Sequence, residues 1–192
     1  MKKSTIVCLV LLVTLLSQEI FADVWTSDKF SKTLHLALAD DSIAQLYIDA
    51  GAGDLKITGK AGQLEITVIA KVFGEKLNED EYVLSLQKDG DKARLIAQFN
   101  DNIYNNQRID LEISMPPTLA LLVDDRSGDI LIESISNGLT LNDRSGGIDL
   151  KGVVGDVNIN DSSGDIHAKN ISGVVIVADS SGDISINGAA DF

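Results

Sequence analysis

The chain has 192 residues, with 16 Lys and Arg against 29 Asp and Glu, a formal net charge of −13. Such a chain repels nucleic acid and anionic membrane surfaces, which excludes both as electrostatic partners. Its length is enough for one domain with a self-sufficient core.

The first 22 residues read as a secretory signal peptide. Lys2 and Lys3 give a positive start, Ile6 to Leu16 is an apolar or neutral run, and "IFA" places a small residue before Asp23. The run is too short to stay in a bilayer as a helix, which needs roughly 20 residues. The only cysteine, Cys8, lies inside it. The mature chain therefore has no thiol chemistry, disulfide or Cys-ligated metal. Removing Lys2, Lys3 and Glu19 leaves 14 basic against 28 acidic residues, a net of −14. No later segment is long and apolar enough to form a transmembrane helix.

From residue 23 to 192 the pattern predicts a single all-β domain. "KTLHLALA" and "IAQLYIDA" alternate apolar and polar residues, as half-buried strands do. "AGAGDLKITGKAGQLEIT" follows, with Leu55, Ile57, Leu64 and Ile66 at the offsets of a repeated coil, predicting a first coil over 51–68. Over 69–123 the reading is longer antiparallel strands. "YVLSLQKDGDKARLIAQF" forms a hairpin around Asp89-Gly90, and "RIDLEISM" alternates until Pro116-Pro117 stops it.

Over 124–192 the sequence falls into four rows of 18 residues without gaps, the last one partial. Ser-Gly recurs at 127–128, 145–146, 163–164 and 181–182. Ile130, Ile148, Ile166 and Ile184 form one apolar column, and Ile132, Leu150, Ala168 and Ile186 another. Leu139/Leu141, Val157/Ile159 and Val175/Val177 supply a second short strand per row. Ile135, Val153, Ile171 and Ala189 fill the bend between the strands. A fixed period in this register predicts a solenoid, because a short strand buries its apolar side only by stacking on its neighbours. The fold class is therefore a β-solenoid of about 18-residue coils merging with an N-terminal antiparallel sheet.

These residues together resemble the bacterial putative-adhesin family, exported all-β proteins filed as a domain of unknown function. The resemblance is carried by the coil from Gly53 to Gly59, by "RIDLEISMPP", and by the "SGDI" units at Ser127, Ser163 and Ser181. It spans about Leu46 to Ile186. It implies a β-solenoid or β-helix-like fold and assigns no catalytic residues. Gly147 stands where the family pattern has Asp, and the last row is incomplete.

The candidate site residues are acidic. Asp125, Asp143, Asp161 and Asp179 share one column; Asp129, Asp165 and Asp183 share another. Stacked carboxylates either cap the corner's backbone N–H groups, as Asp beside Gly does, or recruit a cation. The first column is thus the candidate calcium ladder. Arg126 and Arg144 would partly neutralise its upper coils. The calcium-binding nonapeptide pattern is not matched, because the residue after each Asp is apolar and faces inward. His35 and His167 both occupy outward strand positions with no nucleophile suggested nearby. The outward columns Leu131, Asp149, His167, Ser185 and Glu133, Lys151, Lys169, Asn187 are mixed in chemistry. They match neither the flat Thr array of an ice-binding solenoid nor the charged groove of a polysaccharide-cleaving one.

The expected function is a non-enzymatic exported interaction or scaffold protein, adhesin-like, in the periplasm or at the cell surface. Its partner would be an envelope protein or glycan bound through a solenoid face, and no cofactor is called for. The alternatives are a calcium-stabilised repeat protein and, further off, a carbohydrate-active enzyme using Asp149, His167 or Lys169. The unfinished last row also predicts an exposed sheet edge capable of end-to-end homodimerisation.

Overall fold

The structure is a computed structural model and describes residues 30–74, 80–100 and 107–188. The signal-peptide reading, Cys8 and Ala189 lie outside the described residues. Among the described residues fifteen strands follow one another: β1 (Phe30–Ala39), β2 (Gln45–Ala50), β3 (Leu55–Gly59), β4 (Glu65–Phe73), β5 (Tyr82–Asp89), β6 (Lys92–Phe99), β7 (Arg108–Met115), β8 (Ala120–Asp124), β9 (Ile130–Ile135), β10 (Leu139–Asn142), β11 (Ile148–Val154), β12 (Val157–Asp161), β13 (Ile166–Ser172), β14 (Val175–Asp179) and β15 (Ile184–Asn187).

They form two sheets. The first has the order β1-β4-β7-β3-β9-β11-β13-β15, the second β14-β12-β10-β8-β2-β6-β5. From β8 onward the chain alternates between the sheets, and each strand pairs in parallel with the strand 18 residues on. Ile130 lies beside Ile148, Ile148 beside Ile166, and Leu139 beside Val157. The 18-residue row is one turn of a β-solenoid.

The apolar columns face one another between the sheets. Ile130, Ile132, Ile148, Leu150, Ile166 and Ala168 are all buried, as are Leu141, Val157 and Ile159 of the opposite sheet. The bend column Ile135, Val153 and Ile171 is buried too. At the last rung the burial fades, with Ile184 half-exposed. Each buried Ile or Leu contributes about 1.5–3 kcal/mol of gross transfer energy, which offsets the ordering of very short strands.

The upstream half departs from the expected layout. The rung that resembles the repeat is β2–β3, spanning 45–59, and it lies between β6–β7 on one side and β8–β9 on the other. The expectation of a coil over 51–68 holds only for its first half. Leu64 is 86% exposed at a turn, and Ile66 is buried on β4, which runs antiparallel to β7. Gly62, with φ of 79°, turns the chain there, and the Gln63 amide pins the turn to the Glu65 and Ser114 carbonyls. The antiparallel reading of 69–123 applies to β4 and to the β5–β6 hairpin at Asp89 and Lys92. In contrast, β6, β7 and β8 pair in parallel with β2 or β3 and belong to the solenoid. The antiparallel strands β1, β4 and β5 close that end.

Candidate functional site

Every rung turns the same corner, and glycine builds it. Gly53, Gly128, Gly146, Gly164 and Gly182 have φ between 132° and 152°, a region that L side chains avoid. They also stack directly on one another. The N–H of Gly128 donates to the Ser145 carbonyl and that of Gly146 to the Ser163 carbonyl. The corner thereby fixes the two aspartate columns on either side of it.

The column of Asp125, Asp143, Asp161 and Asp179 continues the inward parity of Leu121 and Val123, Leu139 and Leu141, Val157 and Ile159. Asp125, Asp143 and Asp161 are therefore buried, with 4%, 4% and 2% exposure. Oδ1 of Asp143 accepts the N–H groups of Arg144 and Ser145 at 2.6 and 3.2 Å. Oδ1 of Asp161 accepts those of Ser162 and Ser163 at 2.6 and 3.1 Å, and Asp179 accepts that of Ser181 at 3.0 Å. These are Asx-type caps that satisfy the corner's own donors. Oδ2 of Asp143, Oδ2 of Asp161 and both oxygens of Asp125 are buried without a hydrogen-bond partner.

That burial sets their acidity. Loss of water, then repulsion from Asp143, raises the Asp125 carboxyl to about 8, and Asp54 adds to the rise. The Arg126 N–H lies close enough to ease the charge without meeting hydrogen-bond geometry. Asp143 rises to about 6, driven by burial and by Asp161 and opposed by the N–H groups of Arg144 and Ser145. Arg126 and Arg144 occupy exposed positions and form no ion pair with this column among the described residues.

The second column is outward and works along the stack. The N–H of Asp129 donates to Asp54 Oδ1 at 3.1 Å, that of Gly147 to Asp129 Oδ1 at 3.0 Å, and that of Asp183 to Asp165 Oδ1 at 3.0 Å. Asp110 extends it by accepting the N–H of Asp54 at 3.1 Å. The opposite corner repeats the device, where Asp156 accepts the N–H of Val174 at 3.1 Å. The sequence reading gave no role to Asp110 or Asp156; Asp156 lies 18 residues before Val174, so its role was visible as a row offset.

Neither column converges on a metal. Among the described residues no group of three His, Cys, Asp or Glu side chains comes together to hold an ion. Calcium takes six to eight oxygens, whereas Oδ1 of Asp143, Asp161 and Asp179 is already committed to backbone N–H groups.

The outward face of the first sheet carries the other named residues. Asp149 lies beside His167, and Lys151 beside Lys169, on β11 and β13. Asp149, His167 and Lys169 are exposed, as is His35 on β1. Asp149 and His167 line an open groove of about 540 Å³ together with Lys56, Lys71, Glu112 and Leu131. Lys71 and Glu112 pair at 3.4 Å, and Lys151 and Glu133 at 3.6 Å, both exposed to water. On the other sheet, the Tyr47 hydroxyl donates to Asp124 Oδ2 at 2.7 Å, and Asn142 Nδ2 donates to Asp124 Oδ1 at 2.6 Å. The bond to Asp124, then burial, raises the Tyr47 phenol to about 12.

Comparison with known proteins places this geometry in a family. The chain is similar in structure to a putative cell adhesion protein from Clostridium sporogenes ATCC 15579, at 14% identity and a TM-score of 0.57, covering 81% of this chain and 98% of that one. That likeness is one of fold. A putative adhesin from Parabacteroides distasonis ATCC 8503 aligns at 12% identity and a TM-score of 0.31, over 83% of this chain and 96% of that one. No curated protein matches the chain. Residues 14–191 match the Toastrack DUF4097 family, whose domain is β-solenoid-like. The match covers the rungs, the closing strands and both aspartate columns, and the chain belongs to that family.

Proposed function

We propose that this protein is a non-enzymatic, exported bacterial interaction or scaffold protein, adhesin-like, that binds an envelope protein or glycan through an outward face of its solenoid. The observation that carries this reading is the outward array on the first sheet. Asp149 and His167, then Lys151 and Lys169, stand exposed and in register on strands whose opposite side is fully packed. A polar, open surface of this kind, backed by a packed core, is accessible to a partner, and that accessibility supports the reading. The fold shared with a protein named for cell adhesion supports the same reading. Export is supported by the sequence pattern at Lys2 to Ala22, and no helix among the described residues is long and apolar enough to cross a membrane.

The test is capture from bacterial envelope fractions by the purified chain, compared with Asp149→Lys and Lys169→Glu. Reproducible capture of one component, lost on charge reversal and competed by free protein, is the expected result. Absence of any reproducible component across several salt concentrations would count against the interaction role. Capture unaffected by both substitutions would move the contact off this face.

A further inference from the structure

The inward aspartates are an expensive arrangement for a structural corner. An Asn at each position would cap the same N–H groups through its carbonyl without burying a charge. Asp125, Asp143 and Asp161 instead place carboxyls at successive rungs, about 5 Å apart in the strand-stacking direction. Four of their oxygens are buried without a hydrogen-bond partner. A buried acceptor of this kind is destabilising unless a hydrogen reaches it. No cationic side chain supplies one: Arg126 and Arg144 are exposed, and the lumen beside the column is lined by Leu121, Val123, Leu139, Leu141, Val157 and Ile159. The remaining charged and titratable groups around it are Tyr47, Asp49 and Asp54 on the adjoining rung, and Asp124 and Asp179 on the same sheet. Apart from the Tyr47 phenol these are all acids, and none favours a carboxylate.

We propose that Asp125 and Asp143 form a proton-loaded carboxyl ladder, which stabilises the solenoid corner when it holds protons and destabilises it as they leave. A carboxyl that keeps its proton carries no charge into the apolar lumen, where its orphaned oxygens have no partner to stabilise one. Proton uptake removes the repulsion between stacked carboxylates and the cost of keeping their charge out of water. The weakened acidity of Asp125 and Asp143 agrees with this geometry. An unfolded Asp titrates near 4, so the folded chain holds extra protons from about pH 4 to about pH 8. Over that window the stability falls as the pH rises.

The experiment is thermal melting of the full chain by circular dichroism from pH 5 to pH 9, with infrared spectra at pH 5 and pH 7. The wild type is expected to lose about 5 °C or more in Tm across that range. Asp125→Asn, which carries its own N–H donors, is expected to flatten the loss and to melt above the wild type at pH 8. The carbonyl band of an un-ionised carboxylic acid is expected at pH 7 in the wild type and reduced in Asp125→Asn. Should Asp125→Asn not fold, the wild-type band at pH 7 and the reduction of the pH 5 band in Asp143→Asn decide the matter. A wild-type Tm that is flat or rising with pH overturns the ladder, as does an equal slope in Asp125→Asn. A missing acid band together with a Tm at pH 8 that rises in calcium also overturns it, because a cation would then hold the column.

Discussion

A Cβ added to Gly164 would lie 1.7 Å from the carbonyl oxygen of Gly146. The two glycines occupy the same corner on adjacent rungs, so the approach of one backbone to the next leaves room for hydrogen and nothing larger. The relation recurs down the stack, from Gly146 to Gly128 at 1.9 Å and from Gly182 to Gly164 at 1.9 Å. Rung spacing in this solenoid is set at its corners as much as in its strands.

Gly164→Ala is therefore expected to be severe. Both the clash and the φ of 152° oppose it, and a cost above about 4 kcal/mol is expected, in the range where single substitutions abolish folding. Gly62→Ala is the control. It has a positive φ but nothing within 4 Å, so about 1 kcal/mol is expected. Urea melts of the two proteins, or loss of soluble Gly164→Ala protein, measure the contrast.

Gly147→Asp should stabilise the chain. Gly147 interrupts the outward column, and its added Cβ would meet nothing nearer than Asp129 Oδ1 at 3.4 Å. An Asp there would accept the N–H of Asp165, as Asp129 accepts that of Gly147. Gains from the cap and from removing a glycine, less the repulsion from two neighbouring carboxylates, come to about 0.5–1 kcal/mol. The increase in Tm should grow with salt, which screens the repulsion and leaves the hydrogen bond.

Core and edge positions of the same residue type should separate widely. Ile132→Ala removes a fully buried side chain between the sheets and is expected to cost about 2–5 kcal/mol. Ile176→Ala, at 60% exposure on the outer strand β14, is expected to cost under about 1 kcal/mol. Equal costs would mean that the last rung is covered in solution.

Tyr47 offers a direct readout of the second sheet's face. Its tyrosinate absorbance should appear near pH 12, and Asp124→Asn should bring it back toward the ordinary value near 10. Because the folded state favours the neutral phenol, the Tyr47–Asp124 bond stabilises the fold below about pH 10. That contribution is lost as the pH rises from about 10 to about 12. An unchanged titration in Asp124→Asn would show that burial alone raises the phenol.

The repeat was legible because a solenoid writes its geometry into one period. Ser-Gly at a constant offset located the corner, and alternation on either side of it located the buried columns. The same parity already carried the inward direction of Asp125. Leu121, Val123 and Asp125 alternate, as do Leu139, Leu141 and Asp143. Leu64 is the exception. Its offset matched the row, but the turn at Gly62 and Gln63 sent it to solvent, a local event that overrides a periodic pattern.

By itself, then, the sequence determined the all-β class, the 18-residue coil, the glycine corner and the two acidic columns, because each depends on contacts between equivalent positions one period apart. Only the tertiary structure decided that β2–β3 is held between β6–β7 and β8–β9. Those partners lie tens of residues away with no repeating spacing, so pairing edges and buried area choose them rather than any local signal. The structure also decided what each column does. Whether a carboxylate caps its own corner, the next rung, or stays orphaned depends on which side of the strand faces the lumen and on what the stacked neighbours leave unpaired.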